Sequence, residues 1–494
     1  MVAMEPHADP VAPVPIELPR VGHAQRARRL ARTMALASRR LAPLAGSVLD
    51  GDGRERRFAA SCRALFEDLG TTYVKFGQFI ASAPAVVGEA MAAEFRACLD
   101  SGPAVPFAAV RAAVVEAAGG DIGRAYAQIE ERPIAAASVA VVHRARLHDG
   151  REVAVKVLRP GVERLVAADL STMEPLARFI ASCGFDQGFN IVGLVVGLRA
   201  QIAEELDLRN EARTMDRFRA LFAALGLDRL VVPHVHHELT SRRVLVMDYV
   251  DGVAIDDLSR IDRIGVDPRP LVRDLLRAWV LSALRTGAFH ADIHAGNMLV
   301  LPDGRLAVLD WGILARLDDA TRALVRRLCE VSIGIESAWH ELIATYIAVS
   351  GHGLAALGLS EEQIARFIRG ALEPVLTQPM GEVSMASLLA SGDDVVRLAT
   401  GEAPRRRTLI EKARAMRAAG RAYREDARAG AFEAPVMRAS FLASKQLVYL
   451  ERYGRMYLPH ETLLGDEDFL RRALAEPDGP SPDMHEANTQ AAGG

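Results

Sequence analysis

The chain has 494 residues, of which 50% are hydrophobic and 25% are charged, and its formal net charge is -3. This length favours two or more lobes over a single core, and the charge balance argues against the basic face that nucleic-acid binding usually needs. The four cysteines form no CxxC pair, which argues against a zinc site. Because the longest apolar run, residues 191–198, is far shorter than a membrane span, we expect a cytoplasmic protein without a transmembrane helix.

Both ends of the chain have compositions typical of disorder. Residues 1–25 are rich in proline and alanine, and residues 476–494 contain proline, glycine, asparagine and glutamine, so we predict a disordered leader and a disordered tail. The segment from Arg26 to Arg40 contains several arginines and no acid. This pattern favours either a cationic amphipathic helix in peripheral contact with a membrane or a solvated helix face.

Residues 26–130 are predicted to form a helical extension, because apolar side chains between residues 65 and 80 recur at helical spacing. The extension contains the run Lys75-Phe76-Gly77-Gln78. Lys75 and Gln78 are three residues apart and therefore lie on one helix face.

Residues 131–250 are predicted to form a small lobe built on an antiparallel sheet. Two pairs of strand-like runs are separated by a long helical insert: 141–147 with 152–157, and 231–235 with 244–250. Asp149-Gly150 lies between the first two runs and supplies the positive φ angles of a tight hairpin turn.

A lysine and an alanine-rich run accompany the first hairpin. Lys156 lies on its second strand, where protein kinases hold the lysine that contacts the α and β phosphates of ATP. The run before the first strand is a candidate phosphate-binding loop, and the start of an alanine-rich helix is the alternative interpretation. That run consists of Ala135, Ala136, Ala137 and Ser138.

The most informative segment is HADIHAGN, which begins at His290. It spaces His290, Asp292 and Asn297 as HxDxxxxN, and Asp310 follows just before a Trp-Gly pair. This is the pattern of a kinase catalytic loop and metal-binding loop. In that pattern Asp292 orients and deprotonates the acceptor hydroxyl, while Asn297 and Asp310 bind Mg²⁺.

Residues 251–475 are predicted to form a helical large lobe that carries this loop. An apolar stripe over residues 271–284 predicts a helix that leads into the loop. A turn at Pro302-Asp303-Gly304 predicts a hairpin that brings Asn297 and Asp310 to the same end.

Three acids of the helical insert, Glu205, Asp207 and Glu211, are candidate partners for Lys75 and Lys156. Asp207 and Glu211 are four residues apart, a like-charge spacing that costs an isolated helix a few tenths of a kcal/mol unless cations neutralise it. An exposed acidic face is the alternative interpretation.

These motifs resemble those of the UbiB/AarF family of atypical, protein-kinase-like proteins, which includes the mitochondrial ADCK proteins. The resemblance covers roughly residues 60–330 and rests on Lys75-x-Gly77-Gln78, the alanine-rich run and HRARLHDGREVAVKVLRPGV at 143–162. It implies an α+β, bilobal, protein-kinase-like fold with a helical N-terminal extension and a helical C-terminal lobe.

The resemblance also implies the composition of the site. ATP and Mg²⁺ would bind between the lobes, and the extension carrying Lys75 would cover the cleft. Lys75 would then meet Glu205 or Asp207, and Lys156 would pair with Glu211. The hinge that touches adenine would consist of Met247, Asp248, Tyr249 and Val250.

The implied activity is ATP hydrolysis or phosphoryl transfer that supports isoprenoid quinone or related lipid biosynthesis at a membrane, with isoprenoid lipids or quinone intermediates as partners. Two alternatives stay open: a small-molecule kinase of the aminoglycoside or choline type, and a non-catalytic nucleotide-gated lipid-binding or scaffold protein. The chain departs from the family pattern at several positions, which affects substrate selection more than nucleotide chemistry. These positions are Ser82-Ala83-Pro84, Val141, Ile293, Ala295 and Trp311.

Overall fold

The structure is a computed structural model that describes part of the chain. The predicted tail and most of the predicted leader lie outside the described residues. The described residues are 13–14, 16–43, 51–81, 89–96, 105–182, 191–355, 360–382, 446–447 and 449–475.

The first half of the chain is mainly helical, as predicted for the extension. Its helices are α1 (His23–Leu41), α2 (Gly51–Leu69), α3 (Thr71–Ala81), α4 (Glu89–Arg96), α5 (Phe107–Ala117), α6 (Ile122–Ala125), α7 (Val162–Ser182), α8 (Ile191–Glu205) and α9 (Leu208–Ala224).

The segment just before α1 is attached to the protein, which corrects part of the predicted disordered leader. The side-chain amide of Asn210 bonds to the backbone N–H and carbonyl of Val14 at 3.0 and 3.1 Å. Ile16 N–H donates to the carbonyl of Ala203 at 3.2 Å. An asparagine amide presents the same donor and acceptor as a peptide group, so it can hold an extended segment as a neighbouring strand would.

The arginine-rich helix α1 is neither wholly solvated nor wholly free for a membrane. Arg29 is buried, forms an ion pair with Asp169 of α7 and donates to the carbonyl of Leu69 at 2.7 Å. Arg40 pairs with Asp68 of α2 at 2.7 Å. Two of the arginines therefore fasten the helix to its neighbours.

A five-stranded antiparallel sheet follows the extension. Its strands are β1 (Tyr126–Ile129), β2 (Ala135–Ala136), β3 (Ala140–Leu147), β4 (Glu152–Leu158) and β6 (Val244–Asp248), in the order β1-β3-β4-β6 with β2 also paired to β3. The predicted β3–β4 hairpin is confirmed, and Gly150 in its turn has φ +89°. The alternative of a helix start at Ala135 is wrong, because this residue pairs with Val142.

Side-chain alternation gives the two faces of this sheet different roles. Val153, Val155 and Val157 point to one face, where they pack with Val110 and Val114 of α5. Lys156 therefore projects from the opposite face, toward the second half of the chain.

The second predicted strand pair forms at one point only. Leu230–Val231 forms β5, which pairs in parallel with β10 (Leu306–Val308). Both belong to a separate four-stranded sheet of order β5-β10-β9-β7, in which β9 is Met298–Val300 and β7 is Val253–Ala254. Val235 touches β6 only through an isolated bridge to Met247. Pro233 lies between these two points and has no N–H to donate, so a continuous ladder cannot form there.

The second half of the chain is mainly helical, and the α+β class is confirmed. The predicted hairpin around residues 302–304 is also confirmed, as β9 (Met298–Val300) pairs with β10. Among the described residues, no helix is both long and apolar enough to cross a membrane. The remaining elements are β7 (Val253–Ala254), α10 (Leu258–Ile264), α11 (Arg269–Thr286), β8 (Ala288–His290), β11 (Leu314–Arg316), α12 (Asp319–Ser332), α13 (Ala338–Ala355), α14 (Glu361–Thr377), α15 (residues 449–457) and α16 (Glu467–Ala475).

Candidate active site

His290 ties together the two loops that carry the candidate catalytic acids. It ends β8, which pairs with β11, and its side chain is buried. Its Nε2–H donates to the carbonyls of Leu309 and Asp310 at 3.2 and 3.0 Å, and its Nδ1 accepts from Asp292 N–H at 3.0 Å. The two contacts fix one tautomer, so His290 serves as a brace between the loops.

The pH dependence of stability should report this brace. Burial lowers the pKa of His290 below its usual 6.5. The unfolded state therefore binds the proton first, and the stability present above about pH 6.5 is lost as the pH falls toward the folded-state pKa. We expect the free energy of unfolding to drop by about 1 kcal/mol more between pH 7 and 5.5 in wild type than in His290→Gln, measured by urea denaturation. The half-exposed His294, changed to Gln, is the matched control, and an equal drop in all three proteins would contradict the assignment.

Asn297 closes the candidate catalytic loop on itself. Its Nδ2 donates to the carbonyl of Asp292 at 3.0 Å, and its backbone carbonyl accepts from Leu309 N–H at 2.8 Å. Two residues from far along the chain support the same loop. The Tyr453 hydroxyl donates to the carbonyl of Ile293 at 2.7 Å, and the side-chain oxygen of Gln446 accepts from the N–H of Ile293 at 3.3 Å. We did not identify these two residues from the sequence, because no local motif surrounds them.

Asp310 has an unusual backbone conformation that places its carboxylate. Its φ is +43°, and it is the one non-glycine residue with positive φ in the described part of the chain. Aspartate tolerates this region better than most residues. Trp311 follows, buried beside Phe218 and His290, and donates from its indole to the carbonyl of Val308 at 2.9 Å. The fixed indole anchors the turn from which Asp310 projects.

Lys156, Glu211 and Asp310 meet although they come from three separate segments. Lys156 Nζ lies 2.8 Å from Glu211 Oε1 and 2.9 Å from Asp310 Oδ1. The lysine and glutamate side chains are 7% and 4% exposed, whereas that of Asp310 is 36% exposed. The expected Lys156–Glu211 pair is therefore present. Asp310, the candidate metal ligand, is the third member of this cluster.

The charges in this cluster stabilise one another. Burial lowers the pKa of Lys156, but the carboxylates of Asp310 and Glu211 outweigh it and raise the pKa. Burial raises the pKa of Asp310, but the ammonium of Lys156 outweighs this effect and holds the pKa well below its usual value. The same burial raises the pKa of Glu211, a rise that Lys156 opposes. Lys156 is therefore a cation and Asp310 an anion at neutral pH.

Helix α3 of the extension lies against this cluster through a second buried ion pair. Lys75 Nζ is 2.7 Å from Glu205 Oε2, and Gln201 donates to Glu205 Oε1 at 2.9 Å. Gly77 is buried and Gln78 is half-buried on the same helix. Lys75 also lowers the pKa of Asp310 at a distance, which places the extension within electrostatic reach of the candidate metal ligand.

The resemblance implies Glu205 or Asp207 as the partner of Lys75. Glu205 is that partner, and Asp207 has a different role. It caps the N-terminus of α9, where its carboxylate accepts from Arg209 N–H at 3.1 Å and from the Arg209 guanidinium at 2.7 Å. A carboxylate at a helix N-terminus is favoured by the helix dipole. Cations neutralise both acids of the like-charge spacing, since Arg209 pairs with Asp207 and Lys156 pairs with Glu211, and Asp207 precedes the helix.

The alanine-rich run is held from two sides. Ala137 N–H donates to the carbonyl of Ala140 at 2.9 Å, and Arg159 donates to the carbonyl of Ala137 at 2.9 Å. Thr71, at the start of α3, donates to the carbonyl of Ser138 at 2.9 Å. The candidate phosphate loop and the extension are thus linked directly.

The candidate hinge connects the five-stranded sheet to the second half of the chain. Met247 is buried, and the carboxylate of Asp248 lies 2.9 Å from the ring of His236. The guanidinium of Arg144 lies 4.5 Å from the ring centre of Tyr249. Val250 follows Tyr249 directly. The side chains of Asp248 and Tyr249 are thus engaged within the protein.

Comparisons with known proteins identify the family of this chain. The model of the ABC1 atypical kinase-like domain matches residues 97–336. An uncharacterized protein of Mycobacterium tuberculosis is 34% identical over 404 residues, which cover 81% of this chain and 75% of the relative. An uncharacterized chloroplastic aarF domain-containing protein kinase of Arabidopsis thaliana is 32% identical over 414 residues, which cover 82% of this chain and 73% of the relative. The chain belongs to the UbiB/AarF family. The resemblance is confirmed, and the α+β fold is kinase-like.

Two further matches are more distant from this UbiB/AarF protein. A Cellvibrio japonicus protein named "Probable protein kinase UbiB" is 29% identical over 351 residues, which cover 68% of this chain and 60% of the relative. The structure of Mycobacterium tuberculosis Rv3197 with erythromycin has a TM-score of 0.41 and 24% identity, covering 70% of this chain and 83% of that one. The region matched by the family model contains Lys156, Glu211 and Asp310 but begins after Lys75.

Proposed function

We propose that this protein binds ATP with Mg²⁺ and either hydrolyses it or transfers its γ-phosphoryl group. The observation that supports this most directly is the convergence of Lys156, Glu211 and Asp310 at 2.8 and 2.9 Å. Lys156 would hold the α and β phosphates, and Glu211 would orient it. Asp292 would orient the acceptor hydroxyl or water and take its proton.

The residues present suit a magnesium ion that binds together with the nucleotide. Asp310 is ionised and partly exposed, and the Nδ2 of Asn297 is already engaged, which leaves its Oδ1 as the acceptor available to a cation. No cluster of three or more His, Cys, Asp or Glu residues that could hold a metal by itself is found in the described ranges. Mg²⁺ commonly takes one or two protein ligands plus phosphate oxygens. When bound, it would neutralise phosphate charge.

The remaining parts of the proposal concern the surroundings of this site. The two lobes would close over ATP, with Ala135, Ala136, Ala137 and Ser138 at the phosphates and Met247, Asp248, Tyr249 and Val250 at the adenine. Family membership supports a role in isoprenoid quinone or related lipid biosynthesis. The exposed arginines of α1, beside exposed Leu30 and Met34, would supply a peripheral membrane contact.

Nucleotide binding can be tested through stability. A ligand that binds only the folded state raises the free energy of unfolding by about 2.7 kcal/mol at one hundred times its Kd. We expect a non-hydrolysable ATP analogue to give this increase in urea denaturation with Mg²⁺ present, and a much smaller increase with EDTA. Well-folded protein that shows no Mg²⁺-dependent increase would contradict the proposal.

A second candidate, a nucleotide-gated lipid-binding or scaffold protein, is favoured by one observation. Lys156, Glu205 and Glu211 are all buried, and Lys75 of α3 is buried in its ion pair with Glu205, which limits access to this cluster. In a deletion strain complemented with variants, this candidate predicts that Asp292→Asn keeps quinone content while Lys156→Ala abolishes it. An enzyme role predicts that both variants fail.

A further inference from the structure

Helix α15 reaches the candidate catalytic loop from far along the chain. The region matched by the family model ends at residue 336, so this helix lies outside it. Tyr453 on α15 and Gln446 just before it are fully buried. Both contact the main chain of Ile293, which follows Asp292 in the chain. The proposed chemistry gives neither side chain a role, although both touch the neighbour of the candidate base.

Every main-chain polar group of Asp292 and Ile293 is bonded. The histidine and the asparagine of the loop itself hold the N–H and the carbonyl of Asp292, each at 3.0 Å. The other two groups depend on the C-terminal segment, because Gln446 accepts from the Ile293 N–H and Tyr453 donates to the Ile293 carbonyl. Together these bonds fix the backbone from which the Asp292 carboxylate projects.

The side chain of Gln446 is better explained by its bond to the loop than by packing. Its Nε2 is buried and has no acceptor among the described residues. A buried donor without a partner costs free energy, which an apolar side chain of similar length would avoid. The oxygen that accepts from Ile293 is therefore the feature that an amide supplies at this position.

The Tyr453 hydroxyl is a stable donor at this position. Burial raises its pKa, and the carboxylate of Asp292 is among the charges that raise it further. The hydroxyl therefore keeps its proton at neutral pH, and the charge of Asp292 lies within electrostatic reach of it. Tyr453 can thus orient the loop but cannot itself act as the base.

Helix α15 is fixed to a second segment of the large lobe. Tyr457, one turn beyond Tyr453, donates its hydroxyl to the carbonyl of Ile255. Arg452 pairs with Asp256 at 2.7 Å. The helix therefore has an anchor of its own from which it can hold the catalytic loop.

The phosphate end of the candidate site is assembled from other elements. Lys156, Glu211 and Asp310 come from β4, α9 and the turn after β10, and the bonds that join them lie within these three segments. Loss of the bonds between α15 and the loop should therefore leave this cluster in place.

We propose that Tyr453 and Gln446 are positioning residues for the candidate base Asp292, so that α15 sets the rate of turnover without contributing to nucleotide affinity. The inference rests on the proposed function, because it requires Asp292 to act on the acceptor. It extends that function by assigning the orientation of the base to a helix outside the region of the family model.

Two tyrosine variants of the same helix test the proposal. Tyr453→Phe removes the hydroxyl that bonds the candidate catalytic loop, and Tyr457→Phe removes the one that bonds Ile255. We expect Tyr453→Phe to lower kcat for ATP turnover by about tenfold, while the Kd for the Mg²⁺-bound ATP analogue stays within about twofold of wild type. Tyr457→Phe is the matched control and should keep both values within about twofold. Equal losses of kcat in the two variants would overturn the proposal, as would a Kd of Tyr453→Phe that weakens as much as kcat falls.

Hydrogen exchange gives a readout that needs no nucleotide. The amides of residues 288–297 should exchange at least about tenfold faster in Tyr453→Phe than in wild type, and at the wild-type rate in Tyr457→Phe. Gln446→Met keeps the length of the side chain but removes the accepting oxygen, and should speed exchange in the same residues. Unchanged exchange in Tyr453→Phe and Gln446→Met would overturn the proposal. If wild type neither binds nor hydrolyses ATP, the proposed function fails, and this comparison still decides whether α15 holds the loop.

Discussion

Replacing Lys156 with methionine is expected to lower the free energy of unfolding by about 3–5 kcal/mol and to remove nucleotide binding. The substitution takes the cation away from Glu211, whose side chain is 4% exposed, and from Asp310. An acid left buried without its partner must either stay charged in a poor environment or take up a proton. Urea denaturation with and without the Mg²⁺-bound ATP analogue measures both effects in one experiment.

A double variant separates the two effects of this substitution. Changing Glu211 to leucine in the Lys156→Met background removes the stranded acid, so we expect most of the lost stability to return. Nucleotide binding should not return, because no cation then faces the phosphates. If the single variant kept the stabilisation by Mg²⁺ and nucleotide, Lys156 would not be the phosphate-binding lysine.

The elements that the sequence predicted well are those that local patterns specify. The β3–β4 hairpin follows from alternating valines around Asp149-Gly150, and α11 follows from its apolar stripe. The candidate catalytic loop is predictable because its residues lie within a short segment. In each case the interacting residues are close together in the chain, so spacing alone carries the information.

Features that depend on distant partners were not predictable in this way. The burial of Arg29 depends on Asp169, and the order of the segment near Val14 depends on Asn210. Nothing in the arginine-rich run or in the proline-rich leader specifies these partners. The parallel pairing of Leu230–Val231 with β10 likewise joins segments separated by the whole hinge region.

The candidate site also contains contacts that the sequence predicts and contacts that it does not. The family resemblance gave the Lys156–Glu211 pair and a choice of two acids for Lys75. The structure selects Glu205 because it ends α8 beside α3, whereas Asp207 caps α9. Asp207 immediately precedes its helix, and aspartate is favoured at that position, so its cap role could have been predicted from the residue type and the helical pattern that follows. The support that Tyr453 and Gln446 give to the loop could not have been predicted from the sequence, because both residues lie far beyond the loop in the chain.

Replacing Asp310 with asparagine is expected to lower ATP hydrolysis or phosphoryl transfer at least about a hundredfold, because loss of a metal ligand costs several kcal/mol of charge stabilisation in the transition state. The fold should survive, since Lys156 keeps its pair with Glu211 at 2.8 Å and an asparagine tolerates the φ of +43° at this position. The measurement is steady-state turnover with lipid vesicles present, over a range of Mg²⁺ concentrations.

Asp303→Asn is the matched control for this experiment. Asp303 lies in the exposed turn between β9 and β10 and pairs only with the neighbouring Arg305 among the described residues, so its loss should leave turnover unchanged. If Asp310 acts through the metal, higher Mg²⁺ should recover part of the activity of Asp310→Asn, because a weakened site fills at higher ion concentration. A variant with wild-type turnover would remove Asp310 from the metal site. A loss of turnover that no Mg²⁺ concentration relieves would leave it as the partner of Lys156 alone.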